Sequence, residues 1–264
     1  MRKKALFFDV DGTLLSEETH LVPESAVRAI EKAKALGHMT FINSGREDCL
    51  LEEIRKLVNV DGYLCGCGTQ LIVHGETVYE HRLPRELGRF LLEQGNLFRV
   101  GIVLEAQEFC YFPEPPYPTK ALDKVFASLK AGHPAGVRET ADGEVIFDKF
   151  CFWSDEESDI AGFIRAVSKE FTVIDRGQGM YECVPLGHSK ATAITKILQL
   201  YDIRLEDAYV FGDSTNDLAM FQAVPNAVLM GKHDKELEPY ASFVTKTVEE
   251  DGIAYAMEQL GILG

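Results

Sequence analysis

The apolar run Ala5-Leu-Phe-Phe8 stops at Asp9, and Asp11 and Thr13 follow at alternate positions. A second run, His38-Met-Thr-Phe-Ile42, gives way to Asn43, Ser44, Gly45 and Arg46. A third, Ala208-Tyr-Val-Phe-Gly212, ends in Asp213, Ser214, Asn216 and Asp217, and Lys190 opens a helical stretch ahead of it. Brought to one place, Asp9, Asp11 and Asp213 would repel one another strongly. A hard, oxygen-seeking cation such as Mg2+ relieves that repulsion. The cation and Lys190 together would supply the positive charge a phosphate group needs. Ser44 and the amides beside Gly45 can donate hydrogen bonds to phosphate oxygens. Taken singly, an aspartate after a strand is usually a turn or a helix cap, Ser-Gly a turn, and a helical lysine a solvated side chain. Chemistry is suggested by the whole set, in order along the chain.

Three elements must position these residues, and their pattern is consistent. Short apolar runs that end in acids and glycine read as strands buried on both faces. Between the first two runs, Val22, Ala26, Ala29, Ala33 and Leu36 recur at helical spacing and Gly37 ends the helix. A second helix is expected from about Glu47 to Val58, another around Ile194, Ile197, Leu198 and Tyr201, and a closing one over Gly252 to Leu260. Strand alternating with helix gives an α/β fold, a Rossmann-like parallel sheet with helices on both faces, and such sheets bind ligands at the carboxyl ends of their strands.

The middle of the chain has another texture. Helical stretches (Arg85 to Leu97, Ala121 to Ala131, Glu156 to Phe171) alternate with strand-like runs at Val100 to Leu104, Val145 to Trp153 and Phe171 to Ile174, mostly without terminal acids. Phe112-Pro-Glu-Pro-Pro-Tyr-Pro118 reads as an extended loop. The expected organisation is a catalytic core of residues 1–82 and 185–264 with an inserted α+β domain, 83–184.

Composition narrows the partners. The 264 residues are 46% hydrophobic, enough for one large or two modest cores, and carry a formal charge of -15. Such a surface repels nucleic acid and anionic membranes. The six cysteines show no zinc-type pairing of doublets, and the basic Met1-Arg2-Lys3-Lys4 leads into an apolar run far too short for a signal or a span. Reduced thiols in the cytoplasm are the simplest reading. Nothing in the sequence dictates an oligomeric state.

Asp9-Val-Asp-Gly-Thr-Leu14, Ser44, Lys190 and Gly212-Asp-Ser-Thr-Asn-Asp217 resemble, in order, the four motifs of the haloacid dehalogenase superfamily. The insertion after the second motif and the Val184-Pro-Leu-Gly-His-Ser-Lys190 approach resemble its Cof-type branch, which carries a type IIB cap. The resemblance implies a phosphatase acting on a small phosphorylated metabolite such as a sugar phosphate, a nucleotide or a cofactor phosphate. Asp9 would be the nucleophile that forms an aspartyl phosphate, and Asp11 the general acid and base. Asp9, the Asp11 carbonyl and Asp213 would hold Mg2+, with Asp217 supporting them. Ser44, Gly45, Lys190 and Asn216 would bind the phosphoryl group. Arg46, Glu182 at the end of the last cap strand, and His188 are candidate substrate contacts. The resemblance also makes an acid at Asp11 an argument against dehalogenation, whose halide leaving group needs no proton. Two other readings share the motifs: a phosphohexomutase-type phosphotransferase and a non-catalytic sugar-phosphate sensor. The hydrolase reading requires that Asp9→Asn abolish turnover while its far-ultraviolet circular dichroism matches that of the parent. Undiminished turnover in that variant would sink it.

Overall fold

The computed structural model describes residues 2–264. The chain begins with β1 (Ala5–Phe8), α1 (Glu24–Ala35), β2 (Met39–Asn43), α2 (Glu52–Leu57), β3 (Gly62–Cys65), β4 (Gln70–Val73) and β5 (Glu76–Glu80). There follow α3 (Arg85–Phe98), β6 (Gly101–Glu105), β7 (Cys110–Pro113), α4 (Lys120–Gly132), β8 (Val137–Thr140), β9 (Lys149–Trp153), α5 (Ile160–Val167), β10 (Phe171–Asp175) and β11 (Met180–Pro185). It closes with α6 (Lys190–Leu200), β12 (Ala208–Gly212), α7 (Leu218–Ala223), β13 (Asn226–Leu229), β14 (Phe243–Val244) and α8 (Gly252–Gln259). Two compact units result. One takes the chain up to Gly45, Glu52–Tyr79 and Ser189–Gly264; the other takes Arg46–Leu51 and Glu80–His188. Among the described residues no helix is long and apolar enough to cross a membrane.

The first unit is built on a sheet of order β14-β13-β12-β1-β2-β3-β4-β5, parallel from β14 through β3. All four residues of β1 are fully buried, which is why the sequence is apolar at every position instead of at alternate ones. Phe7 stacks on Phe41 and Phe8 on Phe211, with ring centroids 5.1 and 4.6 Å apart. Each buried phenylalanine contributes about 1.5–3 kcal/mol. On α1 the buried residues Ala26, Ala29, Ile30 and Ala33 fall at helical spacing. The pairing puts Phe8 opposite both Ile42 and Phe211. Asp9, Asn43 and Gly212 therefore emerge side by side at one edge, and the residues behind them in sequence share that edge.

The second unit has a six-stranded sheet of order β10-β11-β9-β6-β7-β8, antiparallel except for the β7–β8 pair. One hydrophobic cluster joins Ile102, Leu104, Phe150 and Phe152 to Leu91 of α3 and Phe163 of α5. A second joins Val103, Cys151 and Trp153 to Leu122 of α4.

Several expected elements differ. The helix expected from Glu47 to Val58 breaks into a single turn at Asp48–Leu50 and the short α2. The break has a tertiary cause: the Cys49 N–H donates to the Gln107 carbonyl at 2.9 Å, and Leu50 is buried in the second unit's α4-side cluster. The helix expected from Glu156 starts only at Ile160, where the Asp159 side chain accepts the Gly162 N–H. Phe112 and Pro113, expected in a loop, end strand β7 opposite Glu139 and Thr140. All six cysteines are free thiols.

Gly62 marks a tight point of the first sheet. A Cβ there would lie 2.5 Å from the Ile72 carbonyl oxygen and 3.0 Å from the Phe41 ring. Gly62→Ala is expected to cost about 1–3 kcal/mol by overpacking, read as a lower unfolding midpoint in denaturant. An unchanged midpoint would mean that the strand moves aside at no cost.

Candidate active site

Lys190 is the first residue of α6 and is only 1% exposed. Its Nζ donates to Asp9 Oδ1 at 2.7 Å and to Asp217 Oδ1 at 2.6 Å. The helix starts here because Ser189 and Thr192 form a reciprocal capping box, each side-chain oxygen accepting the other residue's N–H. Gly68, at φ +89°, comes so near that a Cβ would lie 2.8 Å from the Ser189 carbonyl oxygen.

Asp217 ties the third strand end together. Its Oδ2 accepts the N–H groups of Asp213 at 3.0 Å and Ser214 at 3.3 Å, so both of its oxygens are engaged. Asp213 Oδ1 accepts from the Thr13 hydroxyl at 2.7 Å. Asp234 braces the same loop from outside: its Oδ2 accepts the Thr215 N–H and its own N–H donates to the Asp213 carbonyl. Gly12, at φ +77°, has no Cβ to strike Asp213 Oδ2, which would lie 2.4 Å away.

The charges do not balance. Asp9, Asp213 and Asp217 can each offer an oxygen with all three atoms within 4.8 Å of one another, against the one ammonium of Lys190. Burial and then the nearby Asp217 push the Asp9 carboxyl up to about 7. Burial, Asp9 and Asp217 push Asp213 up to about 8. Burial works against the Lys190 ammonium, but Asp217 and Asp9 outweigh it and hold the group charged well above the ordinary lysine range. A crowded, oxygen-only, anionic donor set of this kind fits a hard divalent cation, and Mg2+ is among those it suits.

The first unit thus gathers Asp9, Lys190, Asp213 and Asp217. Asp11 lies on an exposed turn beside them, bridged by its backbone to Leu15. Ser44 is buried at the end of β2, its N–H donating to Leu64 and its carbonyl accepting from Cys67. Gly45 follows it, half-buried, and Asn216 Oδ1 accepts from the Ser214 hydroxyl at 2.8 Å. Arg46, Glu182 and His188 belong to the second unit. Glu182, expected at a strand end, sits in the middle of β11, where Lys149 Nζ pairs with it at 3.0 Å. His188 lies against the His81 ring with centroids 4.4 Å apart. The hydrogen bonds of Thr13, Asn43 and Asp234 carry no sequence signal, since each depends on a partner brought in by the fold. Asn43 Nδ2, for one, donates to the Lys190 carbonyl at 3.2 Å.

A model of haloacid dehalogenase-like hydrolases matches residues 6–257. The chain belongs to that family. YkrA of Bacillus subtilis (strain 168) is 32% identical over 263 residues, 100% of each chain. The 5-amino-6-(5-phospho-D-ribitylamino)uracil phosphatase YwtE of the same organism is 26% identical, covering 97% of this chain and 98% of its own. The solved structure of the HAD subclass IIB sugar phosphatase BT4131 superposes with a TM-score of 0.83 at 26% identity, covering 98% of this chain and 100% of that one. The α/β architecture with a parallel-sheet core is thus that of a haloacid dehalogenase-like hydrolase.

In this hydrolase Lys190 is a buried cation whose removal would strand two buried carboxylates. Lys190→Met is expected to destabilise the metal-free protein by about 3–5 kcal/mol in denaturant unfolding at neutral pH with chelator present. A loss below about 1 kcal/mol would show that the carboxylates simply take up protons.

Proposed function

We propose that the protein is a Mg2+-dependent phosphomonoester hydrolase that works through an aspartyl phosphate on Asp9. The reading is carried by one observation: a buried carboxylate, Asp9, is held by a buried ammonium beside two further carboxylates at the carboxyl edge of the sheet. Lys190 restrains Asp9 and offers positive charge to an incoming phosphate. Asp9 attacks phosphorus, the ester P–O bond breaks, and Asp11 gives its proton to the departing oxygen. Asp11, now a carboxylate on an exposed turn, takes a proton from water. The hydroxide so formed attacks phosphorus, releases inorganic phosphate and restores Asp9. Ser44, the Gly45 amide and Asn216 hold the phosphoryl oxygens through both halves.

Asp9, the Asp11 carbonyl and Asp213 would hold the magnesium ion, which supplies charge neutralisation at the phosphoryl oxygens when bound. Asp217, with both oxygens engaged by protein donors, braces these groups without ligating. Residues 83–184 would act as the cap that chooses the leaving group, on a core of 1–82 and 185–264. The substrate class is a small phosphorylated metabolite, as for the relatives named as phosphatases of a phosphoribityl compound and of sugars. An aqueous, cytoplasmic setting agrees with the free thiols.

The expected result is release of inorganic phosphate, one for each ester consumed, from one or more members of a panel of sugar, nucleotide and cofactor phosphates. Chelator should abolish it and Mg2+ restore it. Consumption of ester without phosphate release would instead show transfer to a second hydroxyl, and no consumption by folded, magnesium-loaded protein would refute the hydrolase reading.

A further inference from the structure

Asn43 is a buried polar residue of this edge that none of the proposed steps employs. It ends β2 and is 0% exposed. Its Nδ2 donates to the Lys190 carbonyl at 3.2 Å and lies 3.6 Å from Met220 Sδ, while its Oδ1 meets no donor. A buried amide with one end unsatisfied lowers stability, and a small apolar side chain would avoid that cost. The strand around it is otherwise built from buried Met39, Thr40, Phe41 and Ile42. Asn43 is therefore a poor choice for packing alone.

Its useful end lies on the main chain of the residue whose ammonium joins Asp9 and Asp217. A lysine side chain is a long, flexible stem, so its Nζ is placed only as well as its backbone root and its terminal partners allow. At the root, the Ser189–Thr192 box and the Gly66–Gly68 turn hold the helix start on one side, and the Asn43 amide ties it to β2. At the tip, Asp217 is itself pinned by the Asp213 and Ser214 amides.

We propose that Asn43 is a positioning residue. Its amide fixes the first turn of α6 against the end of β2, so that Lys190 Nζ reaches Asp9 as well as Asp217. Without the amide, the helix start relaxes away from β2. Asp217 keeps the ammonium and Asp9 loses it. The contact claim stands on the geometry alone; only its consequence for rate rests on the hydrolase reading.

Asn43→Ala separates the two. In its crystal structure, the Lys190 Nζ to Asp9 Oδ1 distance is expected to lengthen beyond about 3.5 Å, outside hydrogen bonding. With a substrate that the parent hydrolyses, kcat is expected to fall about tenfold with KM within about twofold, the size of loss typical of a supporting residue. The thermal midpoint should fall by less than in Lys190→Met, because Asp217 keeps the ammonium that Asp9 loses. Asn43→Val, which also lacks the donor, should repeat the pattern and serves if the alanine variant fails to fold. An Nζ that stays at hydrogen-bond distance from Asp9 overturns the proposal whether or not phosphate is released. So does a displaced Nζ with kcat unchanged. A displaced Nζ in a protein whose parent releases no phosphate supports the positioning claim and counts against the hydrolase reading alone.

Discussion

The carboxyl edge of the first sheet depends on an ammonium held between two buried carboxylates. Lys190 reaches Asp9 just after β1 and Asp217 just before α7, and each of the three is less than 5% exposed. Removing such charges from water is costly, and the attraction offsets that only when geometry is good and the remaining lone pairs find donors. The surroundings meet both conditions. The spare oxygen of Asp217 takes two backbone amides, and Thr13 serves Asp213. Glycines at 12 and 212 keep the main chain clear of Asp213 and Asp217, where a Cβ would come within 2.4 and 2.5 Å of a carboxylate oxygen. These glycines are a steric requirement of the charge cluster.

The cluster is also left short of positive charge. Three carboxylates face one ammonium, and burial leaves Asp9 and Asp213 reluctant to ionise, near 7 and 8. A site in that condition favours any ligand that brings cationic charge, whereas the chain's overall charge of -15 disfavours polyanions at long range. Together these two facts suit the cluster to a divalent cation and set the surface against nucleic acid.

Much of this was legible in the sequence because a parallel sheet turns one-dimensional information into spatial proximity. Apolar runs ending in Asp9, Ser44 and Asp213 identify three strand ends, and parallel pairing in step needs no further information to align them. The α1 stripe and the helix opening at Lys190 are equally local signals. What could not be read depends on partners far away in sequence. The segment after Arg46 has helical composition, yet Cys49 and Leu50 are claimed by the second unit's β6–β7 hairpin and its hydrophobic cluster. Glu182 is expected at a strand terminus because the inserted domain is taken to end at Val184, but pairing with β10 continues through Pro185. Asn43 and Asp234 act through backbone groups, which leave no trace in residue types.

The Thr13–Asp213 hydrogen bond spans 200 positions and the Lys190–Asp9 bond 181, with the whole second unit threaded between the strands they join. Closing a loop of that length carries an entropic cost that only late, cooperative contacts repay, and contacts of high sequence separation are slow to form. During synthesis, β1 and β2 leave the ribosome long before β12, the strand that pairs along β1's other edge. For that interval one edge of a wholly apolar, fully buried strand stands unpaired, open to the wrong neighbour. The arrangement that concentrates the chemistry also makes the nascent chain depend on its own last third.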